Sequence, residues 1–112
     1  MIMNKFNFAD IVLLEFPFSD TLVKKQRPAV VLKDTNDKDI IVARVTSQIK
    51  NSIFDIDIKD WKKAGLMLPS IIRVHKIATL EAAMVKKVIG KLQLNDTKNL
   101  KNALADLFCD IV

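Results

Sequence analysis

The chain holds few of the residues from which most enzymes build a site. It has one histidine, His75, and one cysteine, Cys109, in 112 residues. A lone imidazole lacks the second histidine that usually shares the acid and base steps of ribonucleases, so His75 reads as structural or surface. A histidine and a cysteine this far apart do not make a zinc set, and the alternation Asp55-Ile56-Asp57 is that of a strand rather than a metal site. Ser19, Ser47 and Ser70 have no histidine partner suggested by a motif, which argues against a serine hydrolase. No metal and no cofactor is called for. One cysteine cannot form an internal bridge and fits a reducing compartment.

Other shortages bound the architecture. Glycine occurs twice, and no linker, low-complexity tract or internal repeat divides the chain, so residues 1–112 read as a single domain. Aromatic residues make up only 6%, which does not advertise an open stacking platform for single strands. No run approaches the roughly 18 apolar residues of a membrane span. The apolar stretch from Ile11 to Phe18 follows Asp10, contains Glu15 and lacks a small-residue cleavage site, so it reads as a strand rather than a signal peptide. These features place the chain in the cytoplasm, with no membrane partner.

What is present is half hydrophobic, enough for one core, with 18 Lys and Arg against 13 Asp and Glu. The resulting charge of +5 makes polyanions or acidic protein segments natural partners, although an ordinary basic surface fits equally well. The pattern predicts strands over Asp10 to Phe16, Arg27 to Lys33, Ile40 to Thr46, Phe54 to Ile58, Ser70 to Ala78 and Val88 to Leu92. Asp34 to Asp37 is a turn. Asp60 to Ala64 forms a short helical turn that Gly65 stops. From a cap at Asn95 or Asp96, a helix to Ile111 puts Leu100, Ala103, Leu104, Leu107, Phe108 and Ile111 on one face, most simply for core or dimer contact. Short strands with one terminal amphipathic helix argue for a small, mainly β barrel closed or plugged by that helix.

Two blocks carry the candidate chemistry. Arg27-Pro28-Ala29-Val30-Val31-Leu32 and Val45-Thr46-Ser47-Gln48 put an arginine and a hydroxyl cluster at the ends of two neighbouring strands. A guanidinium can donate two parallel hydrogen bonds to a phosphate. Thr46 or Ser47 can add another, and Gln48 can reach backbone or base edges. Lys24 and Lys25 can steer a phosphate backbone, and Phe18 is the aromatic best placed in a polar loop to meet a base. The same residues fit a structural account: Arg27 pairing with Glu15 or Asp10, Thr46 favouring β backbone, Phe18 in the core.

Taken in order, Asp10 to Asp20, Lys25 to Leu32, Val45 to Gln48, Gly65-Leu66 and Pro69 to Val74 resemble the MazF/PemK family of toxin endoribonucleases. The resemblance implies an SH3-like barrel with a C-terminal helix, usually a symmetric homodimer. It also implies metal-independent cleavage of single-stranded RNA, restrained by a cognate antitoxin, with Arg27 and Thr46 as the catalytic pair. The chain departs from the family in having no glycine before the Arg-Pro block and in carrying His75 where many relatives have an acid. The CcdB gyrase inhibitors, which share the barrel but poison a topoisomerase without catalysis, are the rival; the chain lacks their Trp-Gly-Ile ending. A catalytically silent SH3-like interaction module is the third option.

Overall fold

The computed structural model describes residues 5–16, 25–48 and 51–111. Six strands, β1 (Asp10–Phe16), β2 (Lys25–Asp34), β3 (Asp39–Thr46), β4 (Asp55–Ile58), β5 (Ser70–Glu81) and β6 (Val85–Lys91), precede one helix, α1 (Leu94–Phe108). All strand pairs are antiparallel, in the order β4-β5-β3-β2-β1-β6.

The continuous apolar runs of β1 and β2 follow from a sheet covered on both faces. Ile11, Val30, Ala43, Val45, Ile72 and Val74 point into the larger cluster, where Leu100, Ala103, Leu104 and Leu107 of α1 pack. Val12, Leu14, Ala29, Val31, Ile40 and Val42 point the other way, against Phe6, Leu80 and Met84. One strand thus serves two cores, and its alternation vanishes from the sequence.

The expected barrel is plugged by the helix but not closed. Among the described residues β4 and β6 do not pair, and each ends the sheet. Their composition suits that position, because charge on an edge strand discourages pairing with another chain. β4 reads Asp-Ile-Asp-Ile, and β6 carries Lys86, Lys87 and Lys91.

The helix start differs from the expectation. Gln93, not Asn95 or Asp96, is the cap residue, and its side chain makes no capping bond. Asp96 is 1% exposed and turns away from its own helix end. Its carboxylate accepts the backbone N–H groups of Lys59 (3.0 Å) and Asp60 (2.9 Å), tying α1 to the turn after β4. That turn closes as predicted: Ala64 N–H reaches the Asp60 carbonyl, and Gly65 at φ +96° stops it. Phe108, placed on the apolar stripe by spacing, is 46% exposed. β2, β3, β5 and β6 all begin or end beyond the predicted limits; β5 in particular runs on to Glu81.

Candidate functional site

Arg27 lies near the start of β2, a strand with neighbours on both sides. Pro28 follows it, and proline has no N–H to give to a ladder. The β2–β3 ladder has Ala29 opposite Arg44 as its terminal pair, so Arg27 and Thr46 each stand two residues beyond it. Side chains alternate along a strand. Arg27 therefore shares a face with Ala29, and Thr46 shares that face with Arg44 and Val42.

On this face a cleft of about 510 Å³ crosses β1, β2, β3 and β5. Leu14, Ala29, Val42, Ala78 and Leu80 make an apolar floor, and four cations, Lys25, Arg27, Arg44 and Lys76, stand around it. Arg27, Arg44 and Lys76 are exposed, and no carboxylate among the described residues pairs with them. Glu15, one structural partner considered for Arg27, instead meets Gln26 Nε2 (3.1 Å) and Lys86 Nζ (3.3 Å). The other, Asp10, accepts the Asn7 N–H at 2.9 Å.

Thr46 is 9% exposed and does not line the cleft itself. Its hydroxyl oxygen accepts the Gln48 N–H at 3.1 Å, which fixes the turn leaving β3 and leaves the hydroxyl hydrogen to donate. Ser47 and Gln48 are exposed on that turn. Lys24 and Phe18 lie outside the described residues. His75 rests its ring against Phe54, with centroids 5.1 Å apart, and its buried Nδ1 has no hydrogen-bond partner among the described residues.

Across the same face, Arg73 Nε donates to Asp55 Oδ1 at 3.0 Å, both side chains being largely buried. Arg44 is the Cα partner of Arg73. The row Ala29, Arg44, Arg73, Asp55 thus crosses four strands with one of its two cations neutralised. Such a face can hold an anion: a guanidinium and an amine around an apolar floor match a phosphate joined to a sugar and base.

Sequence reasoning passed over Arg44 and Lys76. Arg44 left a signal, a charge within the apolar run Ile40 to Val45 at the same parity as Thr46. Lys76 left none, because a bulge in β5 breaks the alternation that would have located it.

A family model described as the PemK-like, MazF-like toxin of type II toxin-antitoxin systems matches residues 7–108. No curated protein sequence matches the chain. Solved structures share its fold at low identity. The Mycobacterium tuberculosis toxin MazF-mt6 superposes with a TM-score of 0.72 at 18% identity, over 89% of this chain and 96% of its own. The MazE–MazF complex of Deinococcus radiodurans gives 0.74 at 16%, over 92% and 95%. A mycobacterial endoribonuclease in complex with its cognate antitoxin gives 0.73 at 11%, over 91% and 93%.

Proposed function

Because the chain belongs to the PemK-like, MazF-like toxin family of type II toxin-antitoxin systems, we propose that it is a toxin that cuts single-stranded RNA internally without a metal ion. The observation that carries this reading is the exposed guanidinium of Arg27, without a carboxylate partner among the described residues, within a cationic cleft and on the sheet face it shares with the Thr46 hydroxyl. The family match runs to MazF-like toxins, which favours RNA cleavage over gyrase binding.

Cleavage of RNA without a metal uses the neighbouring 2′-hydroxyl as nucleophile. The 2′-oxygen bonds to phosphorus and gives up its proton, the bond from phosphorus to the 5′-oxygen breaks, and that oxygen takes up a proton. The products are a 2′,3′-cyclic phosphate and a 5′-hydroxyl end. The protein must hold the chain in line and stabilise the added charge on the phosphorus oxygens. Arg27, a permanent planar cation, stabilises that charge, and the Thr46 hydroxyl donates to the same phosphate. Ser47 and Gln48 meet the flanking nucleotides, and Lys24, Lys25 and Phe18 guide the strand.

The partner that restrains such a toxin is a cognate antitoxin, and an acidic segment of it complements the cleft. The chain works as a homodimer in the cytoplasm. No described helix is long and apolar enough to cross a membrane. The test is cleavage of short RNA oligonucleotides by the purified protein in EDTA. Cutting that persists in EDTA and stops when the scissile nucleotide is 2′-deoxy supports the reading. Cutting of the 2′-deoxy substrate, or none of any RNA, overturns it.

A further inference from the structure

β3 lies between β2 and β5, and its side chains are buried or half-buried except at one position, Arg44. There the Cα partners are Ala29 on one side and Arg73 on the other. Like charges directly opposite one another in a sheet are destabilising. Asp55 neutralises Arg73, while among the described residues no carboxylate pairs with Arg44. Arg44 is exposed on the cleft face, so its charge is open to an anionic ligand. This is the arrangement expected of a group whose charge is completed by a ligand.

Lys76 reaches the same cleft by a different device. The β3–β5 register passes from Arg44 opposite Arg73 to Ala43 opposite Ile77, so Val74, His75 and Lys76 have no partner on β3. Ile72 and Val74 both point into the helix-covered core, and strict alternation would send Lys76 there too. A three-residue insertion reverses the parity, and Lys76 joins Ala78 and Leu80 on the cleft face. The bulge is held from behind: Val74 N–H donates to the Phe54 carbonyl at 3.1 Å, and the His75 ring rests on Phe54.

Resting on the RNA-cleaving reading above, we propose that Arg44 and Lys76 form a second phosphate-binding subsite, which takes a phosphate of the same RNA strand next to the one held by Arg27. Strand spacing and rise put the Arg27 and Arg44 Cα positions roughly 8 Å apart, which lets two guanidiniums hold neighbouring phosphates. The apolar floor between them receives the intervening sugar and base. Arg44 and Lys76 bind substrate and do not take part in bond breaking.

The test measures binding of an uncleavable 2′-O-methyl RNA oligonucleotide by fluorescence anisotropy between about 50 and 200 mM salt. Each phosphate contact to a single strand adds about 0.7 to the slope of log affinity against log salt. The R44Q/K76Q variant then has a slope shallower by about 0.7, and wild type loses about 2.6-fold more affinity than the variant over that range. R44K/K76R, which keeps the charges, restores the slope. K63Q/K98Q removes two exposed charges away from the cleft and leaves it unchanged. With RNA that wild type cuts, R44Q/K76Q raises KM and keeps kcat within about threefold. A slope equal to that of K63Q/K98Q, or a fall in kcat at unchanged KM, overturns the subsite while leaving the nuclease reading intact. Failure of wild type to bind RNA overturns both.

Discussion

Replacing Asp96 cuts the tie between α1 and the turn after β4. The carboxylate is 1% exposed and accepts two backbone N–H groups, at 3.0 and 2.9 Å. A hydrogen bond to a charged group contributes about 1.5–3 kcal/mol, and an acidic residue in the first helical turn about 0.3–1 kcal/mol more. Asp96→Ala removes both acceptors and strands two donors, for a loss of about 3–5 kcal/mol. A domain of this size is stable by only about 5–15 kcal/mol. Asp96→Asn keeps one acceptor oxygen but turns an amide N–H₂ toward the second donor, and costs about 2 kcal/mol. The assay is urea unfolding followed by Trp61 fluorescence, since Trp61 lies in the turn that Asp96 holds. With a urea slope of about 1.5 kcal/mol per molar, the midpoint of Asp96→Ala falls by roughly 2 to 3 M. RNA cleavage per folded molecule stays within about twofold, because Asp96 is remote from the cleft lining. A loss below about 1 kcal/mol in Asp96→Ala means that the two hydrogen bonds do not hold α1 to that turn.

Three further outcomes follow from other parts of the fold. The two glycines face each other: a Cβ on Gly90 would lie 1.9 Å from the Ala64 carbonyl oxygen, and one on Gly65 2.2 Å from that of Ile89. Gly90→Ala therefore costs about 2–4 kcal/mol and lowers Tm by at least about 8 °C in calorimetry; an unchanged Tm contradicts the close approach. Asp34 has its pKa lowered below 3.8, chiefly by the Asn36 N–H against an opposing effect of burial, with the Phe6 and Lys5 N–H groups and the Lys33 charge adding to it. A depressed carboxyl stabilises the fold above its unfolded pKa and loses that stabilisation as pH falls through the folded value. Asp34→Asn is accordingly less stable than wild type near pH 7, and the two converge below pH 3.8; a gap independent of pH in denaturant titrations tells against this. Thr46→Val keeps the packing of a 9% exposed side chain and removes its hydroxyl. Cleavage slows by about a hundredfold in single-turnover assays with the fold retained, and wild-type speed counts against a role for the hydroxyl.

Much of the sheet was legible because turn chemistry and β-branched runs are local. β1 from Asp10 to Phe16 matches its predicted limits, and Gly65 stops its turn where the sequence indicated. The helix face was legible through Leu100 and Leu104, but not its start. Asp96 has the residue type of a cap, yet its partners, Lys59 and Asp60, lie 37 and 36 positions away, beyond the reach of a local pattern. Barrel closure was overestimated because nothing in β4 or β6 states whether two edges meet. Of the candidate site, Arg27 and Lys25 were found in the cleft, and Thr46 lies on the same face without lining it. Arg44 became visible only when the register set it beside Arg73, and Lys76 only through the bulge. Both depend on pairing between distant strands.

On the proposed function, the Arg27 guanidinium stabilises the charge that builds on the scissile phosphate. The direct measurement is the single-turnover cleavage rate of Arg27→Ala in EDTA, with circular dichroism and the urea midpoint confirming that the exposed side chain is lost without harm to the fold. Loss of one such donor predicts a fall of at least about a hundredfold in the chemical step. A folded Arg27→Ala that cuts within about threefold of wild type shows that the guanidinium does not stabilise that charge.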